Sequence, residues 1–147
     1  MTCVYSSFDK DIMYRTAKST NKSRLQELID FAKLSGFKRL GIANCVVVQP
    51  YAEKLAELLR AAGFEVFILG CRDSGFNGRE ISEEMAGPCC DPISQAEYLN
   101  NAHTDFNIMV GLCLGHELIF QRHSKAEFTT FLVKDLATNN KTIENLE

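Results

Sequence analysis

Residues 40–71 read LGIANCVVVQPYAEKLAELLRAAGFEVFILGC, and this stretch decides the fold. Residues 40–45 are a short apolar run of strand length. Pro50 suits a first helical turn, Leu55, Leu58, Leu59 and Ala62 then recur on one helical face, and Gly63 suits the left-handed helix end. Residues 64–69 return to aromatic and branched side chains and finish at Gly70-Cys71. This spacing predicts a strand, a crossing helix and a second strand.

The pattern extends in both directions. Toward the C-terminus, residues 72–90 form a long polar loop with glycines at 75, 78 and 87 and some helix expected near residues 80–85. Loops of that length are uncommon unless they have a function. Asp91-Pro92 reads as N-cap and first helical position of a helix through Ile93, Ala96 and Leu99. A third strand is expected over residues 106–113, a short helix over 115–123, a fourth strand over 128–134, and a polar surface extension from Thr138. Toward the N-terminus, Phe8, Ile12 and Ala17 mark an amphipathic helix over residues 7–19. Leu25, Leu28, Ile29 and Ala32 mark a second helix, with Ser23 as its cap and Gly36 at its end.

Alternating strands and helices imply parallel pairing, because each parallel connection crosses over the sheet and does so right-handedly. The expected fold is therefore three-layer α/β, a mainly parallel sheet of about four or more strands, flavodoxin- or Rossmann-like, with N-terminal helices. The order 2-1-3-4 is compatible with it. A length of 147 residues predicts one domain. Residues 1–36 would be its helical part, 37–135 its βα units and 136–147 a polar tail.

Composition narrows the class. With 46% apolar and 24% charged residues the chain is neither disordered nor fibrous. No apolar run approaches the roughly 18 residues that cross a bilayer, and residues 1–11 lack the apolar centre of a secretory signal, so a cytoplasmic protein is expected. A net charge of -3 gives no electrostatic reason to expect nucleic acid or an anionic membrane as partner. The basic residues Arg15, Lys18, Lys22 and Arg24 read as the solvated face of the first helices, and the glycines of the long loop match no phosphate-binding fingerprint. A monomer and a homodimer fit equally well.

Six cysteines are the anomaly. In a reducing compartment, metal binding or thiol chemistry outranks a disulfide framework. Cys45, Cys71 and Cys113 end three predicted strands, so parallel topology would gather them along the carboxyl edge, where open α/β sheets bind their ligands. Cys90 precedes the Asp91-Pro92 helix start at that edge, and a helix N-terminus favours a thiolate. His116, three residues beyond Cys113, is the histidine placed to serve as ligand or proton carrier, with a capping role as the alternative. His103 and His123 belong at the opposite edge, Cys89 reads as a bystander or resolving thiol, and Cys3 has no assignable partner. Zinc prefers Cys and His, and iron–sulfur clusters prefer Cys. The expected site is therefore Cys45, Cys71, Cys90 and Cys113 with His116, holding zinc or an iron–sulfur cluster, with room for a small-molecule ligand.

The segments Cys90-Asp91-Pro92-Ile93-Ser94-Gln95-Ala96-Glu97, Thr104-Asp105-Phe106-Asn107 and Gly111-Leu112-Cys113-Leu114-Gly115-His116 resemble an uncharacterised prokaryotic-type family, the domain of unknown function 1847. The resemblance runs from about Leu25 to Asp135 and includes Phe31-Ala32-Lys33 and Gly41-Ile42-Ala43. It implies a metal-binding protein, an assignment that itself rests on cysteines. The chain departs from the family in having only Cys3 where members often carry a cysteine-rich N-terminal segment, Glu117 where Asp is usual, and Leu136 in place of a basic residue.

An enzymatic alternative rests on the same motif. Residues 111–116 also look like the cysteine elbow of class I glutamine amidotransferases, in which glycines flank a nucleophile on a strand-to-helix turn. Cys113 would attack, the N–H groups of Leu114 and Gly115 would receive the oxyanion, and His116 or Asp135 would assist. The distal His-x-Glu of those enzymes is absent, which leaves a simpler cysteine hydrolase, acyl-transfer or thiol-redox enzyme.

Overall fold

The computed structural model describes residues 4–147, so Cys3 lies outside the described residues. Two compact units are distinguished, one ending at Lys38 and the other Arg39–Glu147. The first contains α1 (Ser7–Ser19) and α2 (Arg24–Leu34). Ser6 and Asp9 form a reciprocal capping box on α1, and the Ser23 hydroxyl accepts from the Gln26 N–H to start α2. Gly36 follows α2 with φ +72°, the left-handed geometry expected of it.

The second unit carries β1 (Arg39–Asn44), α3 (Gln49–Ala61), β2 (Glu65–Gly70), α4 (Pro92–Asn101), β3 (Phe106–Val110), α5 (Leu114–His123) and β4 (Phe128–Leu132). All four strands pair in parallel, in the order β2-β1-β3-β4. Connection by right-handed crossover puts α3 on one face and α4 and α5 on the other, because the chain moves one way from β1 to β2 and the opposite way thereafter. The result is the three-layer, Rossmann-like α/β architecture expected from the alternation of elements. Ala43 and Met109 of the sheet, Ala96 and Leu99 of α4, and Leu112 and Phe120 beside and within α5 form one continuous buried cluster. Gly41 lets α4 approach: a Cβ there would fall 2.2 Å from the Asn107 Oδ1 and 2.8 Å from Leu99 methyls.

Two strands are shorter than the sequence pattern suggests. β3 ends at Val110, not at residue 113, because Gly111 adopts φ +68° and turns the chain out of the sheet. β4 ends at Leu132, which pairs with Val110, the last residue of its neighbour. The polar C-terminal segment coils into 3-10 turns at Leu136–Thr138 and Thr142–Leu146. Asp135 fastens it, accepting from the Thr138 N–H at 3.3 Å and from the Asn145 side chain at 2.6 Å.

The long loop has a definite shape. Short 3-10 turns at Gly78–Glu80 and Glu83–Met85 sit within a hairpin closed by the Asn77–Pro88 antiparallel bridge. The Gly78 N–H donates to the Gly87 carbonyl at 2.9 Å, and the Cys89 N–H donates to the Phe76 carbonyl at 3.0 Å.

Candidate thiol site at the carboxyl edge of the sheet

The sheet ladder runs one residue past the strands. The Cys71 N–H donates to the Asn44 carbonyl at 2.9 Å, the Cys45 N–H to the Val110 carbonyl at 3.1 Å, and the Gly111 N–H to the Leu132 carbonyl at 2.7 Å. Cys71, Cys45 and Gly111 therefore stand in a row at the carboxyl edge, where β1, flanked by β2 and β3, marks the topological switch point of the sheet. The Gly111 turn then carries the chain to Cys113, which is the N-cap of α5 instead of a strand end. Cys90 reaches the same edge from the other direction, just before the Asp91 N-cap of α4. An Asp91 N–H bond of 2.7 Å to the Cys71 carbonyl ties these two backbones together.

The sulfur atoms meet in two pairs. Cys90 Sγ donates to Cys71 Sγ at 3.4 Å, and Cys71 Sγ also accepts from the Val46 N–H at 3.4 Å. Lys134 Nζ lies 3.2 Å from Cys45 Sγ and 3.2 Å from Cys113 Sγ, so those two sulfurs lie within about twice that distance of each other. Cys45 and Cys71 are buried, whereas Cys90 and Cys113 are half-buried. Arg72, exposed at the rim, follows Cys71 directly and places a cation near Cys90.

Charge and burial act strongly here. Burial pushes the Cys71 thiol up to about 12, with the Val46 N–H opposing and Cys90 and Cys45 reinforcing the rise. The Arg72 guanidinium is held above its ordinary range chiefly by its bond to Cys90 and the negative charge available there. Burial would lower the Lys134 ammonium, but its bonds to Cys113 and Cys45 and their negative charge outweigh that and raise it. His116, half-buried in the first turn of α5, is held below the ordinary imidazole value by burial and then by the Lys134 charge, which favours the neutral ring. Glu117 beside it is raised by burial.

Of the residues singled out from sequence, Cys71 and Cys90 are in direct contact, and Cys45 and Cys113 are joined through Lys134. His116 has Lys134 as its charged neighbour. Asp135 turns its carboxylate to Thr138 and Asn145. Cys89 is half-buried in the hairpin, 3.1 Å from where a Cβ on Gly78 would sit. His103 and His123 close α4 and α5 at the amino end of β3 and β4. Among the described residues, no three Cys, His, Asp or Glu side chains already stand in metal-holding geometry. No helix among them is long and apolar enough to cross a membrane.

Four participants escape a search restricted to cysteine and histidine. Lys134 lies two residues past the end of β4, and Arg72 follows Cys71 directly, so the parallel topology that gathers the thiols carries both cations to the same edge. Asn44 and Gln95 are polar side chains that are nevertheless fully buried, at the end of β1 and within α4. Gln95 Nε2 donates to the Asn44 carbonyl at 3.1 Å and the Leu69 carbonyl at 2.8 Å, pinning the start of α4 to the ends of β1 and β2. Asn44 Nδ2 donates to the Cys45 carbonyl at 3.0 Å and to Gln49 Oε1 at 2.6 Å.

Comparison with known proteins assigns the chain at the level of family. Residues 4–131 match the family described as "Protein of unknown function (DUF1847)", and the chain belongs to that family. An uncharacterised protein of Methanocaldococcus jannaschii is 43% identical over 126 residues, covering 82% of this chain and 65% of that protein. The chain thus matches just under two thirds of the length of that relative. No solved structure matches.

Proposed function

We propose that Cys45, Cys71, Cys90 and Cys113 form a thiolate metal site, for zinc or an iron–sulfur cluster, with Arg72 and Lys134 as its counter-charges. The observation that carries this reading is the convergence of four sulfurs from four chain segments on one edge, accompanied by two cations. Thiol ligands bind as thiolates, so four of them around a divalent ion leave a net charge near -2. Two cations offset that charge. The 3.4 Å separation of Cys71 and Cys90 is close to the roughly 3.8 Å between sulfurs that share a tetrahedral zinc at about 2.3 Å each. The Val46 N–H on Cys71 Sγ is an outer-shell bond of the kind that orients a metal thiolate. On binding, the Lys134 ammonium shifts aside but stays beside the Cys45 and Cys113 thiolates as their counter-charge, a movement that its long, half-buried side chain permits. His116, with its ring favoured in the neutral form, is the reserve ligand. Held by four protein ligands, the metal is structural; a position left open to water makes it a Lewis acid.

The test is elemental analysis and absorption spectroscopy of anaerobically purified protein, with Cys45→Ser, Cys71→Ser, Cys90→Ser and Cys113→Ser in parallel. Zinc or iron in stoichiometric amount, lost in each variant, is the expected result. Absence of both metals after anaerobic reconstitution, or retention in all four variants, overturns the reading.

A second reading is favoured by one specific feature. Cys113 caps α5 without using its side chain, leaving first-turn N–H groups beside a sulfur that already contacts an ammonium. That arrangement suits a nucleophilic cysteine with Lys134 and His116 as proton-handling groups. Rapid alkylation confined to Cys113 in metal-free protein, slowed in Lys134→Met, supports it. Equal labelling of Cys89, Cys90 and Cys113 counts against it.

A further inference from the structure

We infer that Cys71 and Cys90 are an exchange-active dithiol: Cys90 attacks an external disulfide, and Cys71 resolves the mixed disulfide by closing a Cys71–Cys90 bond. The inference concerns the metal-free protein and does not rest on the metal reading.

Three observations carry it. The two sulfurs stand 3.4 Å apart, and the Asp91 N–H to Cys71 carbonyl bond of 2.7 Å holds their backbones side by side, so a disulfide of about 2.05 Å closes by side-chain rotation without moving a strand. The pair is asymmetric. Cys71 is only 2% exposed, whereas Cys90 is half-buried at the rim with the Arg72 cation near it. An incoming disulfide can therefore reach Cys90 and not Cys71, which meets the mixed disulfide only from inside the site. Finally, the intervening residues 72–89 are a hairpin with its own closing bridge, so joining its two ends matches the native chain path.

The chemistry balances with a low-molecular-weight disulfide as oxidant. The Cys90 thiolate attacks one sulfur of the disulfide, its S–S bond breaks, and the departing thiolate takes up the proton that Cys90 gave up. Cys71 then attacks the Cys90 sulfur, passing its proton to the second departing thiolate. Two cysteine thiols are oxidised by two electrons, and one small disulfide is reduced to two thiols.

The experiment treats fully reduced, chelator-treated protein with oxidised glutathione, traps the thiols with acid and alkylating agent at intervals, and maps the products by mass spectrometry. The expected first product is one intramolecular disulfide linking residues 71 and 90, with the loss of two hydrogens. Cys71→Ser should stop at a single glutathione adduct on Cys90, Cys90→Ser should give no adduct on Cys71, and Arg72→Gln should slow adduct formation about fivefold. A first disulfide joining any other pair in the unsubstituted protein overturns the inference, whether or not the variants fold. So does a Cys71→Ser protein with its adduct on Cys89 or Cys113. A protein that forms the 71–90 bond but never takes up metal overturns only the metal reading, and one that binds metal but exchanges elsewhere overturns only this one.

Discussion

The Lys134 ammonium stands 3.2 Å from the Cys113 sulfur, and the same nitrogen reaches Cys45 at the same distance. Two cysteines separated by most of the sheet in sequence are joined by a cation from the chain that follows the last strand. On the proposed metal site, Lys134→Met should weaken zinc binding about tenfold to a hundredfold, the range for lost outer-shell partners, with stoichiometry unchanged. Lys134→Arg should recover most of the affinity. Competition against a chromophoric chelator measures both.

Alkaline stability should depend on Cys71. Its pKa rises from the ordinary 9.0 to about 12 on folding, so the folded chain retains a proton that the unfolded chain releases. The resulting stabilisation is complete below pH 9.0, and is lost as pH rises toward about 12. Cys71→Ala should show a smaller decline over that window than the unsubstituted protein, read as the difference in urea midpoints.

His116 acts at the other end of the scale. Its folded pKa lies below the ordinary 6.5, so the unfolded chain binds the proton more readily. Stability should fall as pH drops below 6.5 through the lowered folded value, and His116→Gln should remove that part of the acid sensitivity. Denaturation midpoints at about pH 7 and about pH 5 decide it.

Gly41→Ala should destabilise the protein by about 2 kcal/mol or more, because the new methyl would fall 2.2 Å from the Asn107 Oδ1 and 2.8 Å from the Leu99 methyls. Asn107 cannot simply step aside: it is fully buried, accepting from the Thr104 hydroxyl at 2.7 Å and donating to the Ser124 hydroxyl at 3.0 Å. Thermal unfolding of the variant measures the effect.

Gln95→Leu keeps the volume of a buried side chain but removes the donor from one buried and one part-buried carbonyl. A cost of about 1–3 kcal/mol is expected. The reactivity of Cys90 toward alkylating agents should rise as well, because the start of α4 loses its tether to Asn44 and Leu69. Parallel measurement of unfolding and of labelling at Cys90 separates the two effects.

Much of this architecture is legible in residues 40–71 alone, since apolar runs of strand length around a helix-spaced segment leave few alternatives to a parallel sheet. The Asp91-Pro92 start of α4 and the left-handed turns at Gly36 and Gly63 follow directly from residue type. The strand ends are less legible. Residues 111–113 are apolar enough to continue β3, and only the φ of Gly111 shows that the chain has already left the sheet. The gathering of Cys45, Cys71, Cys90 and Cys113 at one edge follows from topology, but their division into two pairs does not. It depends on where a lysine two residues beyond β4 points, and no local pattern records that.

The Asn77–Pro88 bridge, finally, makes the chain between those two residues a self-contained loop. Its tip, with Ile81 at 65% exposure and Met85 at 46%, is held by bonds internal to the hairpin. Foreign sequence spliced in after Ile81 would lengthen the tip while the base stayed fastened. A peptide tag or fluorescent reporter grafted there should sit close to the sulfur-bearing rim without altering it, giving a means of watching that rim from outside.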